Sequence, residues 1–260
     1  MTLIDTHCHL DFPVLFKKHE CLIENSINIG IRAIIIPAIL AKRWDALINF
    51  TKKYPDFLYF ALGLHPYFIA EHSQQDLMLL SGYLKQIKPI AIGEIGLDYY
   101  DNNLDKSKQH HFFEQQINIA NMHQLPVIIH ARKAHHDVIA ILKKNNFKYG
   151  GVIHAFNGSF EQANEYMKLD FRFGVGGMIT HPHAKHIREL AVNLPLESIV
   201  LETDAPDMPM YNQVTSYNSP ENLLLIAQKL AKMRGISLEE LGKQTTLNVV
   251  STFKINIKAS

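Results

Sequence analysis

The segment LIDTHCHL at residues 3–10 is a short apolar run that ends in polar, histidine-rich sequence. The same arrangement recurs in IAIGE at 90–94, PVIIH at 126–130 and GVIH at 151–154, where an apolar run closes on a glutamate or a histidine. Runs that are apolar throughout are typical of strands buried on both faces of a parallel sheet. Because parallel strands end at the same edge, the closing residues are expected to lie together.

Short apolar runs alternate with amphipathic helical runs along the whole sequence. The predicted strands cover residues 3–5, 33–36, 58–62, 90–93, 127–129, 152–153, 171–175 and 198–201. The predicted helices cover residues 14–28, 41–53, 74–87, 106–123, 133–146, 160–168, 183–193 and 221–234, with an extra C-terminal helix over 238–250. Eight β/α units in about 250 residues favour an α/β fold of the (β/α)8 TIM-barrel type.

An open, doubly wound sheet is the rival architecture, because it also alternates strands with helices. That fold usually carries a glycine-rich phosphate-binding fingerprint after its first strand, and none follows residue 5. No linker or low-complexity segment interrupts the pattern, so residues 1–260 are expected to form one domain.

Composition narrows the class of protein further. At 47% hydrophobic and 20% charged residues, the 260-residue chain is typical of a globular protein. Two cysteines cannot make a disulfide framework, and no apolar run is long enough to span a bilayer. The first residues show no secretory signal, so a cytoplasmic location is expected. A net charge of +1 argues against a bulk nucleic-acid coat, whereas fifteen histidines are an unusual number.

Histidines and carboxylates at the predicted strand ends indicate a metal centre. In an extended segment His7 and His9 point to the same face and can reach one ion. The candidate ligands, drawn from five strand ends, are His7, His9, Glu94, His130, His154 and Asp204. This set suits Zn²⁺ or Mn²⁺ better than Ca²⁺. Six ligands exceed one open tetrahedral site, so they favour two ions bridged by a carboxylate such as Glu94.

Several motifs together resemble the TatD family of metal-dependent hydrolases, and in particular its YjjV-like branch. They are IDTHCHLD at 4–11, GLHP at 63–66, GEIGLDYY at 93–100, LPVIIHAR at 125–132, GVIHAFNG at 151–158 and LETDAP at 201–206. The resemblance implies a TIM barrel, two divalent ions held by the six candidate ligands with Glu94 bridging, and phosphodiesterase activity on DNA. The chain departs from the family at Ala131, where serine is usual, and at residues 155–157, where Cys-x-Ser is usual.

These features predict metal-assisted hydrolysis, with Zn²⁺, Mg²⁺ or Mn²⁺ left open as the ion. Asp204 and Glu94 are the predicted catalytic residues, with Asp204 as the base that takes or orients a proton. Arg132, two residues after a ligand, and His65 are predicted to contact substrate phosphate. The expected substrate is DNA, single-stranded or with free ends, and no membrane or protein partner is inferred. Two alternatives stay open: a hydrolase of a small amide, lactone or ester, and a non-catalytic metal-binding protein.

Overall fold

A computed structural model describes residues 1–257. Its eight strands form one sheet in which each strand pairs in parallel with the next along the chain. The strands are β1 (Leu3–Asp5), β2 (Ile31–Pro37), β3 (Leu58–Leu62), β4 (Ala91–Asp98), β5 (Val127–Arg132), β6 (Gly151–Ile153), β7 (Phe171–Val175) and β8 (Ile199–Leu201). This order, with helices between the strands, confirms the predicted (β/α)8 TIM barrel.

Contacts between the first and last strands close the barrel. The Thr6 N–H donates to the Leu201 carbonyl at 3.0 Å, and Cys8 forms a parallel bridge with Ala205. The buried Asp5 carboxylate strengthens this seam, because it accepts hydrogen bonds from the Thr203 N–H at 3.0 Å and the Thr203 hydroxyl at 2.6 Å. The seam holds the ends of β1 and β8, from which several candidate ligands project.

Ten α-helices accompany the sheet within the described part of the chain. They are α1 (Pro13–Phe16), α2 (His19–Asn28), α3 (Trp44–Thr51), α4 (Gln74–Leu84), α5 (Lys106–His123), α6 (His135–Lys144), α7 (Phe160–Met167), α8 (Lys185–Asn193), α9 (Leu223–Arg234) and α10 (Leu238–Phe253). The prediction of one helix over 14–28 was wrong, because Lys18 leaves helical geometry at φ −122° and ψ 12° and separates α1 from α2. None of these helices is both long and apolar enough to cross a membrane.

Two strands, β4 and β5, end three or more residues beyond their predicted ends. β4 was expected to end at residue 93 but continues to Asp98, and β5 continues to Arg132, because the two strands stay paired from Gly96 and His130 to their ends. Gly96 permits this close pairing: at φ +144°, a Cβ there would lie 1.9 Å from the His130 carbonyl oxygen. Glu94 therefore lies within its strand rather than after it.

Side chains on the inner face of the barrel form a separate apolar layer. They come from alternate positions of the strands and include Ile4, Ile35, Ile128, Val152 and Val200. The C-terminal segment closes this layer from below, since Val249 and Phe253 of α10, together with Ile255, belong to the same cluster. The predicted C-terminal helix thus fills one end of the barrel and leaves the carboxyl ends of the strands open for a site.

Candidate metal centre

Toward the carboxyl ends of the strands, the residues on the inner face of the barrel change from apolar to polar. Ile128 is followed on the same face of β5 by His130 and Arg132. Glu202 and Asp204 come directly after β8 ends at Leu201. Most of the side chains that meet there are buried, and the set comprises His7, His9, His65, Glu94, Asp98, His130, His154, Glu202 and Asp204. All six ligands predicted from the sequence lie in this cluster.

Glu94 stands between two sets of histidines. Its Oε2 lies 3.1 Å from His7 Nε2 and 3.6 Å from His9 Nε2. Its Oε1 lies 3.1 Å from His65 Nε2 and 3.2 Å from His130 Nδ1. Burial alone would raise the pKa of Glu94, but His65 and His7 hold it well below its ordinary value. Each oxygen of an ionised carboxylate thus faces its own pair of imidazoles.

His7, His9 and Asp204 form one group with metal-ligand geometry. Their candidate ligand atoms all lie within 4.8 Å of one another, and the two Nε2 atoms are 3.3 Å apart. Asp204 Oδ1 lies 3.6 Å from His7 Nε2 and 3.7 Å from His9 Nε2. Burial and the neighbouring His7 lower the pKa of His9 to about 4, so its ring is neutral, as a metal ligand must be.

Glu94, His65 and His130 form a second group whose candidate ligand atoms lie within 4.8 Å of one another. Asp98 supports this group, because its Oδ2 lies 2.9 Å from His130 Nε2 and its Oδ1 accepts a hydrogen bond from the Tyr100 N–H. The sequence interpretation assigned His65 to substrate phosphate, whereas the structure places its Nε2 against Glu94. Asp98 was not among the predicted site residues, although its spacing of four from Glu94 was a usable signal, since residues four apart in a strand lie on the same face.

His154 lies on the other side of the cluster. Its Nδ1 is 3.1 Å from Glu202 Oε1, its Nε2 is 3.5 Å from Asp204 Oδ2, and its ring stacks on His7 at 3.7 Å between centroids. The ring centroids of His154 and His130 are 6.4 Å apart. His154 therefore forms its ligand group with His7 and Glu202 in this structure.

The donor set fits a divalent cation. The Nε2 atoms of His7 and His9 converge with carboxylate oxygens at distances that a shared cation would satisfy. Two imidazole nitrogens and a carboxylate oxygen around one point are ligands that Zn²⁺ or Mn²⁺ binds.

Arg132 lies at the rim of this cluster. Its guanidinium stacks on the ring of Tyr100, with the guanidinium carbon 3.6 Å from the ring centroid. Because β5 extends through residue 132, Arg132 and His130 lie on the same face of the strand, and both line the cavity above the cluster. Arg132 therefore lies on the face of β5 that borders the site, two residues after His130.

A parallel eight-stranded barrel with histidines and carboxylates gathered at its carboxyl ends is the architecture of a metal-dependent hydrolase. A family model described as TatD related DNase matches residues 4–254. This chain therefore belongs to the TatD family, which confirms the resemblance seen in its motifs.

Individual relatives extend over nearly the whole chain. The uncharacterized metal-dependent hydrolase YjjV of Escherichia coli strain K12 is 35% identical over 254 residues, which cover 97% of this chain and 98% of that protein. An uncharacterized metal-dependent hydrolase of Haemophilus influenzae is 36% identical over 261 residues, with 97% and 100% covered. The crystal structure of YjjV, a TatD homologue from E. coli, matches with a TM-score of 0.93 over 98% of both chains.

Proposed function

We propose that this protein is a deoxyribonuclease that hydrolyses phosphodiester bonds of DNA with two divalent ions. The observation that carries the proposal is Glu94, whose two oxygens face separate histidine pairs about 3.1–3.6 Å away. A carboxylate in that position suits two neighbouring cations, an arrangement common in enzymes that cleave phosphodiesters. The family description, TatD related DNase, supports the same substrate class.

The proposed ligands divide between two positions as the family resemblance implies: His7, His9 and Asp204 would hold one ion, and His130 with His154 would hold the other, with Glu94 shared. The first of these groups is also a group in the structure, whereas His130 there lies with His65 and Glu94, and His154 with His7 and Glu202. When bound, such ions lower the pKa of water toward neutrality and offset negative charge on phosphoryl oxygens. His65, beside Glu94 and His130, is an additional candidate ligand or phosphate contact.

Asp204 is the proposed base. Burial would raise its pKa, but the neighbouring His154 lowers it below the ordinary value, so the carboxylate is ionised at neutral pH. A carboxylate oxygen of Asp204 can then accept a proton from an attacking water. Its backbone has φ of 58°, and its N–H donates to the His7 carbonyl at 2.8 Å, so the side chain is held toward the cluster.

Arg132 is the proposed phosphate contact. A guanidinium presents two parallel N–H groups to two phosphate oxygens, which a neutral amide substrate cannot use in the same way. Stacking on Tyr100 limits the orientations that the side chain adopts. The presence of Arg132 therefore supports a phosphodiester substrate over the small amide, lactone or ester considered as the alternative substrate.

The test is digestion of single-stranded DNA labelled at either the 3′ or the 5′ end, with Zn²⁺, Mn²⁺ or Mg²⁺ restored after chelation. We expect metal-dependent shortening from one end. Asp204→Asn should abolish it, while His19→Ala, on α2 and away from the strand ends, should stay within about a factor of two. Turnover of esters or lactones without any cleavage of DNA would overturn the proposal and favour the small-molecule alternative.

A further inference from the structure

Two chambers open at the proposed metal centre and share four lining residues. His130, Arg132, His154 and Asp204 line both of them. The first, the aromatic chamber, has a volume of about 280 Å³ and is walled by Phe12, Tyr67 and Phe68. The second, the methionine chamber, has a volume of about 430 Å³ and is walled by Ala131, Ala155, Phe156, Met178, Ile187 and Met208.

The methionine chamber is apolar and closely supported. Phe156 is 4% exposed and packs against Phe173 with 4.5 Å between ring centroids, so this wall is fixed. Ala155 is held from below, because its N–H donates to Glu202 Oε1 at 2.7 Å. Apart from the four shared residues, Asn157 supplies the chamber's polar side chain, and it is hydrogen-bonded to His135 Nε2 at 3.1 Å.

These walls select the shape and polarity of an occupant. Methionine side chains are polarizable and adapt their shape to the flat faces and edges of aromatic rings. Alanines at 131 and 155 leave room beside the metal ligands that a longer side chain would fill. A volume of about 430 Å³ is within the ordinary range for small-ligand pockets. The chamber therefore suits a flat, uncharged ring joined to a group held at the metal centre.

We propose that the methionine chamber binds the nucleobase of the nucleotide next to the scissile phosphate, and that this base must be unpaired. The inference rests on the proposed nuclease function and specifies its substrate. With the phosphate at Arg132 and the metal ligands, the adjoining nucleoside enters one chamber and the rest of the strand leaves through the other. A paired base would have to leave its duplex first, at the cost of unstacking and unpairing.

Two oligonucleotides that differ only in the terminal nucleotide test this proposal. One carries a normal base and the other a tetrahydrofuran abasic residue, and both ends are tried. We expect kcat/KM to be about 5- to 150-fold higher with the base present, which corresponds to one stacked base. A blunt duplex of the same sequence should be cut more slowly than the single strand.

Variants of the chamber make the test specific. Ile187→Trp fills it and should lower kcat/KM for the base-bearing strand to the abasic level, while the abasic rate stays unchanged. Met178→Ala removes part of the chamber wall and should reduce the ratio of kcat/KM on the base-bearing strand to kcat/KM on the abasic strand. This variant provides the test if Ile187→Trp prevents folding. The matched controls are Leu225→Trp and Met122→Ala, at exposed positions on α9 and α5, which should preserve the ratio.

A binding measurement supplies a readout apart from turnover. On the metal-loaded protein, calorimetry should show that a deoxynucleoside monophosphate binds more tightly than deoxyribose phosphate, and Ile187→Trp should remove the difference. Metal-dependent cleavage with equal rates on base-bearing and abasic strands would overturn the chamber assignment and leave the nuclease intact. Failure to cleave either strand, with turnover of an ester bearing an apolar acyl group, would overturn both proposals.

Discussion

Replacing Glu202 tests whether a buried carboxylate positions His154, one of the proposed metal ligands. Glu202 is 1% exposed and lies inside the barrel, where its Oε1 is 3.1 Å from His154 Nδ1 and accepts the Ala155 N–H at 2.7 Å. The neighbouring strand leaves space for it, because a Cβ on Gly174 would lie 2.0 Å from Glu202 Oε2. Carboxylates that hold the second nitrogen of a ligating histidine fix its ring orientation and raise its basicity.

The two informative variants separate charge from packing. Glu202→Gln keeps the shape and the acceptor for the Ala155 N–H but removes the negative charge beside His154. Loss of such a supporting partner costs about 10- to 100-fold in metal affinity or activity. Glu202→Ala also leaves the buried Ala155 N–H unpaired, which costs about 1–3 kcal/mol of stability. In a chain of this size that lowers Tm by about 2–4 °C for each kcal/mol.

Metal affinity is measured by competition with a coloured chelator, and Tm is measured on the metal-free protein. We expect Glu202→Gln to bind metal about 10- to 100-fold more weakly with a small change in Tm, and Glu202→Ala to lose both affinity and stability. Glu189→Gln, an exposed carboxylate-to-amide change on α8, is the matched control. Wild-type metal affinity in Glu202→Gln would refute the positioning role and leave Glu202 as a packing residue.

Three further outcomes follow from the same geometry. Glu94→Ala should be the most damaging change to a single proposed ligand and should lower the bound metal from the proposed two ions to one or fewer by elemental analysis; two retained ions would contradict its proposed bridging position. Arg132→Met should lower kcat/KM on an oligonucleotide by about 10- to 150-fold with unchanged metal content and Tm, with partial rescue by Arg132→Lys; an equal loss on a neutral ester would argue against phosphate binding. Metal binding should release protons and weaken as pH falls, because nearby carboxylates, despite burial, raise the pKa of His130 above its ordinary value and that of His154 well above it, so protons compete with the ion for both imidazoles. Heats of binding that do not depend on the ionisation enthalpy of the buffer would contradict this last expectation.

The local pattern of the sequence was sufficient to predict the barrel. Residues 3–5, 58–62 and 171–175 form strands with the predicted bounds, and α5 spans the predicted 106–123. A predicted strand end was wrong where the side chains become polar before the backbone pairing ends, as in β4, which continues through Glu94 to Asp98. An apolar run ends where the side chains become polar, but backbone hydrogen bonds continue as long as the neighbouring strand does.

The gathering of the candidate ligands could be predicted, whereas their pairing could not. Parallel strands bring their carboxyl ends together whatever their order, so strand-end histidines were expected to meet. Which imidazole faces which carboxylate oxygen depends on side-chain rotamers and on register, as the positions of His65 beside Glu94 and of His154 beside Glu202 illustrate. The role of α10 as the floor of the barrel was likewise beyond local sequence patterns.

The balance of buried charge explains why this end of the barrel suits a cation. Five carboxylates are buried around the cluster: Asp5, Glu94, Asp98, Glu202 and Asp204. Within residues 1–257 no lysine or arginine is buried, so the cationic groups available to these carboxylates are histidines and the exposed Arg132, which acts on Asp98. The consequence is visible at Asp5, where burial raises the pKa to about 8 even though Thr203 donates two hydrogen bonds to it. Buried carboxylates are stable when they are protonated, paired or coordinated to metal. Protonated histidines would offset the charge only by losing the lone pairs that make them ligands. Divalent ions are the partners that leave both the carboxylates ionised and the imidazoles neutral.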